Sequence, residues 1–282
     1  MAFMPSFALG QSYVVYDFTH NKVLESQNAY NKQPIASVTK LMTANIFLEH
    51  NPHKNCRIAI TDDDRDFIKG THTKLPKNVP IACSELLKAM LVHSDNYAAH
   101  ALSRATGMSR FQFIRKMNEK AKALGMQSTI FIDSSGLAEA NQSSAMDLVK
   151  LAKYSMQKPQ IKQLSNLSST YIQTGRTPIL MKNTNKLVRD EIFGAMLNKT
   201  GYISESGYNL VFVNRNPCHH AIIGVISLNN ASAEARTAFT KRKLEKYGCR
   251  SVYHTEYSPA TPVVEDGYNK EEMRDLLKQL GV

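Results

Sequence analysis

"GAMLNKTGYISESGYNLVFVNRN", residues 194–216, alternates apolar and polar positions on either side of Glu205-Ser206-Gly207. The alternation predicts two antiparallel strands closed by a tight turn. The run that follows, "HHAIIGVISLNN" (219–230), supplies a third strand, with His219 and His220 on its opposite faces, and "SAEARTAFTKRKLEKYG" (232–248) reads as a closing helix. At the other end of the chain, "SYVVYDF" (12–18) and "KVLESQNAY" (22–30) are joined through Thr19-His20-Asn21 as a strand, turn and strand. Strands joined by tight turns pair antiparallel, so the first two are expected to join the last three in one five-stranded sheet.

The middle of the chain has helical periodicity instead. After Pro34, a helix is expected over about Ser37–His50, then a polar, loop-rich stretch over 51–80 that includes "TDDDRD". "CSELLKAMLVH" and "NYAAHALSRATG" read as two helices separated by a break at Ser94-Asp95. "SRFQFIRKMNEKAKALGM" is a third, capped by Ser109 and closed by Gly125, and "SSAMDLVKLAKYSMQK" a fourth, capped by Ser143 or Ser144 and frayed before Pro159. The expected fold class is α+β, with a five-stranded antiparallel sheet flanked by helices and a helical insertion at about 51–180. One domain is expected over 11–255, followed by a tail, 256–282, with a short amphipathic helix in "NKEEMRDLLKQLG".

With 43% hydrophobic residues, the 282-residue chain can bury a substantial core. No stretch approaches the ~20 consecutive apolar residues of a membrane span. The opening "MAFMPSFALG" lacks a basic segment ahead of a long apolar one, so it does not read as an intact leader. The formal charge of +11 is densest in "TKRKLEKYGCR" (240–250), whose Lys241, Arg242, Lys243, Lys246 and Arg250 suit the solvated face of a helix with Phe239, Leu244 and Tyr247 turned inward. No nucleic-acid partner is therefore expected. The mixed charge and few apolar positions of the tail helix argue against a stable membrane anchor. Cys56, Cys83, Cys218 and Cys249 form no metal-binding pair, and no His-Glu-x-x-His occurs, so neither metal nor cofactor is expected. Cys56 and Cys83 flank the loop-rich segment and could bridge in an oxidising compartment, although spacing alone does not assign the pairing.

Three short motifs carry chemistry. "PIASVTKLMTA" (34–44) sets Ser37 and Lys40 one helical turn apart, on one face. A serine hydroxyl needs a base, and lysine serves only if burial or a second cation lowers its pKa. Ile35, Val38, Leu41 and Met42 would bury it. "HSDNYAA" (93–99) places Ser94-Asp95-Asn96 in an interhelix break, and Lys199-Thr200-Gly201 opens the late hairpin, where lysine and threonine can grip a carboxylate. Each motif is weak alone: Ser155–Lys158 repeats the first, while Ser26-Gln27-Asn28 and Ser227-Leu228-Asn229 repeat the pattern of the second.

Together, in this order, Ser-x-x-Lys, Ser-Asp-Asn and Lys-Thr-Gly are the motif set of class A β-lactamases and penicillin-binding proteins. Residues 11–44, "FIDSSGL", "SSAMDLVKLA", "KNTNKLV" and "NKTGYISESGYNLVF" extend the similarity over about 11–248. The chain resembles the low-molecular-weight penicillin-binding proteins, the serine-type D-alanyl-D-alanine carboxypeptidases and endopeptidases. The resemblance implies the β-lactamase/DD-peptidase fold. It also implies an acyl-enzyme on Ser37 with Lys40 as base, Ser94 passing a proton to the leaving amine, and Asn96 on the substrate amide. Lys199 and Thr200 would hold the terminal carboxylate, with Gly201 letting the substrate backbone come close to the strand edge, and the backbone N–H groups of Ser37 and Tyr202 would form the oxyanion hole. The partners so implied are peptidoglycan stem peptides and crosslinks, with β-lactams as covalent inhibitors, in the periplasm or another extracytoplasmic space. The short stretch after Gly248 favours the endopeptidase branch over the longer carboxypeptidases. The rivals are a class A-like β-lactamase, whose deacylating glutamate would be Glu139 in "GLAEANQSS", and a non-catalytic wall- or nucleic-acid-binding module.

Overall fold

The computed structural model describes residues 10–51, 55–175, 177–218 and 220–248. Cys249, Arg250 and the tail with its expected helix lie outside them, as does His219. The described residues belong to one compact unit.

The chain begins with β1 (Ser12–Asp17) and β2 (Lys22–Gln27). After the helical middle come β3 (Ala195–Ile203), β4 (Gly207–Arg215) and β5 (Ile222–Asn230). They form one sheet in the order β2-β1-β5-β4-β3, and every neighbouring pair is antiparallel. Val15 faces Val225 across β1 and β5, and Phe212 faces Val225 across β4 and β5. Successive side chains on a strand point to opposite faces, so a strand buried on both sides is apolar throughout. Val14, Val211 and Ile226 enter the larger core with the central helices, whereas Val15, Phe212 and Val225 enter a second core. Helix α7 (Ala233–Lys246) covers that second face, with Leu244 buried and Phe239 and Tyr247 packed against it. Lys243 and Lys246 of this helix both reach Glu25 on β2, and Lys243 also lies over the ring of Tyr13. Part of the basic cluster thus ties the closing helix to the far edge of the sheet.

The helices between the strands are α1 (Lys40–His50), α2 (Cys83–Val92), α3 (Asn96–Ala105), α4 (Arg110–Ala123) and α5 (Ala145–Ser155). The caps fall where the side chains predict: Ser109 and Gln112 make a capping box, and Ser144 accepts from the Asp147 N–H. Three expectations need correction. Residues Ala36–Thr39 form a short 3-10 turn ahead of α1, because Ala36 adopts a left-handed φ of 48° that the regular helix cannot include. Pro159 opens α6 (Pro159–Ser165) instead of merely ending α5, its fixed φ suiting a first helical position where no N–H is needed. His220 has a φ of 53° and precedes β5, so it does not lie on that strand.

Cys56 and Cys83 are joined by a disulfide, with their Cα atoms 5.4 Å apart. The Cys83 N–H also donates to the Cys56 carbonyl (2.9 Å). The crosslink ties the loop-rich 56–83 segment to the start of α2. Replacing both with serine should lower unfolding stability by about 3 kcal/mol, since the unfolded chain regains the freedom of that loop. An unchanged denaturation midpoint would show that the loop is held by its other contacts.

Candidate active site

Lys40 is wholly buried at the start of α1, among Ile35, Val38, Leu41 and Met42, each without exposed surface. Its Nζ contacts three acceptors: Ser37 Oγ at 2.7 Å, Asn96 Oδ1 at 2.6 Å and the Ser135 carbonyl at 2.6 Å. Burial lowers its pKa to about 7, against a counter-pull from the carboxylates of Asp133, Asp95 and Asp66. Of the two causes considered from sequence, burial is the one that acts. Ser37 is only partly buried, and its hydroxyl meets the Lys40 amine.

Ser94 and Asn96 arrive together because α2 ends and α3 begins between them. Ser94 takes a φ of 63°, and Asp95 caps α3 by accepting from the Ala98 N–H (2.8 Å) while its other oxygen accepts from Thr73 Oγ1 (2.6 Å). Asn96 Oδ1 accepts from Lys40, and its Nδ2 donates to Thr71 Oγ1 (2.9 Å). Thr71 in turn donates to Asp66 (2.6 Å), whose carboxylate also gathers the N–H groups of Ile68, Lys69 and Thr71. This knotted loop fixes the rotamer of Asn96.

The third wall is β3, the outer edge of the sheet. Lys199, fully buried, donates to Ser94 Oγ (2.9 Å) and to the Thr200 carbonyl (2.9 Å). Its pKa is lowered well below the ordinary lysine value by burial, and then by the charges of Lys40 and Arg236. The Thr200 and Thr184 hydroxyls are 2.6 Å apart. A Cβ on Gly201 would lie 2.6 Å from the Ile35 carbonyl and 3.1 Å from the Ser37 nitrogen, so glycine is what lets β3 lie against the Ser37 turn. Tyr202 is half exposed and stacked on Tyr208, with ring centroids 4.3 Å apart.

Ser135 acts through its backbone, and the loop that aims it is built on Asp133. That carboxylate accepts from the N–H groups of Ser135 (2.7 Å), Gly136 (2.5 Å) and Ala138 (2.8 Å), and from Asn141 Nδ2 (2.8 Å). Burial would raise its pKa, but these donors hold it below the usual carboxylate value. Gly136, at φ 85°, packs so closely that a Cβ there would meet the Ala36 carbonyl at 1.9 Å. Buried His100 has Nδ1 3.1 Å from Ser134 Oγ, and burial pushes its pKa down to about 4.

Ser37, Lys40, Ser94, Asn96, Lys199, Thr200 and Gly201 therefore converge on one site. Asp66, Thr71, Asp133, Ser135 and Thr184 complete it; Asp133, Ser135 and Thr184 lie in segments that carry the resemblance, but no role was read for any of the five. Asp133-Ser134-Ser135-Gly136 also carries the composition of a side-chain-supported turn. Glu139 is exposed, in keeping with a surface loop position. Among the described residues, no group of three or more His, Cys, Asp or Glu side chains is arranged to hold a metal ion, and no helix is long and apolar enough to cross a membrane.

Residues 5–230 match the peptidase S11 family, described as D-alanyl-D-alanine carboxypeptidase. The chain belongs to this family. It is 65% identical to the D-alanyl-D-alanine endopeptidase of Haemophilus influenzae, over 99% of this chain and 97% of that protein. It is 34% identical to the D-alanyl-D-alanine endopeptidase of Escherichia coli K12, over 74% of this chain and 68% of that protein. Among solved structures, it resembles penicillin-binding protein D2 of Listeria monocytogenes in its ampicillin-bound form. That match has 26% identity and a TM-score of 0.71, covering 83% of this chain and 95% of the other. The S11 membership agrees with the expected fold and with the resemblance read from the motifs.

Two tests follow from the geometry. Gly136→Ala should disrupt the Ser135 carbonyl contact and abolish covalent labelling of the site, and full labelling of that variant would contradict the close approach. His100 titrates at about 4 when folded and near 6.5 when unfolded, so the unfolded chain binds the extra proton between those values. Stability should therefore fall as pH drops from 6.5 to 4, by an amount on the order of 3 kcal/mol. His100→Gln should flatten that part of the stability curve, and an unaltered slope would exclude His100 as its source.

Proposed function

We propose that this S11 protein is a serine DD-peptidase that cuts D-Ala–D-Xaa bonds of peptidoglycan, with crosslinks preferred over free stem-peptide termini. The observation that carries the reading is the buried Lys40 amine, 2.7 Å from the Ser37 hydroxyl with a pKa of about 7. In its neutral form the amine accepts the Ser37 proton as Oγ attacks the D-alanyl carbonyl. An ordinary lysine, with a pKa of ~10.4, would hold its proton at neutral pH.

The backbone N–H groups of Ser37 and Tyr202 stabilise the tetrahedral oxyanion, a role supported by the close packing of Gly201 on the Ser37 nitrogen. Ser94, held by Lys199, gives its proton to the leaving amine as the C–N bond breaks and takes up the proton that Lys40 received from Ser37, so both groups return to their starting state. Asn96 spends one amide proton on Thr71 and keeps the other for a substrate carbonyl. Lys199 and the Thr200 hydroxyl receive the terminal carboxylate. Water then attacks the Ser37 ester and gives one proton to neutral Lys40, which passes it to Ser37 Oγ as the ester C–O bond breaks, restoring both groups. β-Lactams present a strained amide to the same hydroxyl. The ampicillin-bound form of penicillin-binding protein D2 supports this reading.

The preference for crosslinks rests on the two endopeptidase relatives. The exposed position of Glu139 supports a peptidase over a class A-like β-lactamase. The Cys56–Cys83 disulfide supports the periplasm or another oxidising extracytoplasmic space. The catalytic domain is assigned to 11–255, with its helical insertion at about 51–180.

Fluorescent penicillin should label the protein at Ser37 and leave Ser37→Ala unlabelled. The acylation rate should rise with pH through about 7, as Lys40 loses its proton. Lys40→Ala should slow acylation by roughly 10²–10⁴-fold. An apparent pKa near that of free lysine would contradict the mechanism. Purified crosslinked dimers should be split faster than D-alanine is released from monomeric muropeptides, and release from monomers alone would assign the protein to the carboxypeptidases.

A further inference from the structure

Helix α4 buries Phe113, Met117 and Ala121 but leaves Phe111 77% exposed. Between this outer face and the segment 125–132 lies an open groove of about 1240 Å³. Phe111, Ile130 and Ile132 line it with exposed apolar surface, and Met126 and Phe131 lie in its buried floor. Its rim carries Lys32, Arg110, Arg115 and Lys122, and no aspartate or glutamate lines it. Arg115 pairs along the helix with Glu119 (3.5 Å), and Arg110 donates to the Asp63 carbonyl (2.7 Å).

We propose that this groove docks an acidic amphipathic segment of a partner protein. Its apolar side chains would cover Phe111, Ile130 and Ile132, and its carboxylates would meet the lysine and arginine rim. The volume exceeds the usual 300–1,000 Å³ of small-molecule pockets, and the groove is open, which favours a length of polypeptide. An amphipathic helix laid apolar face down is the common occupant of such a groove. A rim of one sign selects an occupant of the other and speeds its encounter. The concave shape suits an inserted segment better than a flat lipid surface.

The groove is also joined to the catalytic loop. Asn118 of α4 accepts from the Phe131 N–H (2.9 Å) and donates to the Phe131 carbonyl (2.8 Å). Two residues later, Asp133 begins the loop whose Ser135 carbonyl meets Lys40. A bound segment therefore lies against the back of the loop that positions the base. The proposed docking does not depend on which peptidoglycan bond the protein cuts.

The test is selection of a displayed random-peptide library on the full-length protein, with counter-selection on a Phe111→Asp/Lys122→Glu variant. Fluorescent-penicillin labelling and a cooperative melt would show that the variant is folded, and Ile130→Ser/Arg115→Gln replaces it if they do not. The enriched peptides should carry aspartate or glutamate beside leucine or phenylalanine at helical spacing. They should bind the wild type at least about tenfold more tightly than the variant, and salt should weaken them. Failure to enrich any peptide would overturn the proposal, as would enrichment of uncharged or basic peptides, or equal binding to the variant. So would variant-sensitive binding of phosphatidylglycerol vesicles without peptide enrichment, which would assign the face to a lipid surface.

Discussion

The cleft depends on a lysine amine held entirely away from water. An unpaired ammonium in a low-dielectric interior is costly, and a carboxylate partner in direct contact would restore both the charge and the high pKa. Here the three atoms in contact with Lys40 Nζ are a hydroxyl, an amide oxygen and a backbone carbonyl. They satisfy the amine's hydrogen-bonding capacity without a full negative charge. The nearby carboxylates of Asp133 and Asp66 are engaged by N–H donors of their own loops, and Asp95 is engaged by the cap of α3. They pull the Lys40 pKa upward, but burial is the larger effect and determines the sign of the shift.

Each of those three acceptors comes from a different part of the chain, so the architecture serves to bring them to one point. Ser37 precedes α1, Asn96 begins α3, and Ser135 lies in the Asp133 loop. Two of these places require backbone that ordinary residues avoid. Ala36 and Ser94 both sit at positive φ, which costs on the order of 1–3 kcal/mol each and persists only where the surroundings over-determine it. The Ala36 turn is pinned between Gly136 on one side and Gly201 on the other, where neither neighbour has room for a side chain. Ser94 is held by the Asp95 cap and by the Lys199 amine.

What the sequence made legible follows from the same physics. Alternation across 194–216 and the caps at Ser109 and Ser144 are local signals, and the structure follows them. The three motifs were legible because their order along the chain matched the places that a helix start, a helix break and an edge strand must occupy. Ser135 was not, because a backbone carbonyl leaves no trace in the residue type. Asp66 and Thr71 act on Asn96 only through a loop whose closure depends on contacts within the fold. The hairpin of Ser169–Ile172 and Ile179–Lys182 also went unread, since its strands are short and half exposed and so lack a clear alternating pattern. Pro159 misled because proline both ends one helix and suits the first position of the next.

Lys40 and Lys199 impose one further condition on the site. Both amines are buried, and the charge of Lys40 lowers the pKa of Lys199. The repulsion is mutual, so the pair disfavours two ammonium groups at once. In the proposed reaction the substrate's terminal carboxylate arrives at Lys199 and holds that amine in its charged form. The repulsion then falls on Lys40 and favours its neutral state, the one able to take the Ser37 proton. In that proposal an anionic substrate helps to prepare the base that acts on it. In the proposed reaction, the buried lysine on the edge strand couples substrate recognition to activation of the nucleophile, as well as contacting the substrate.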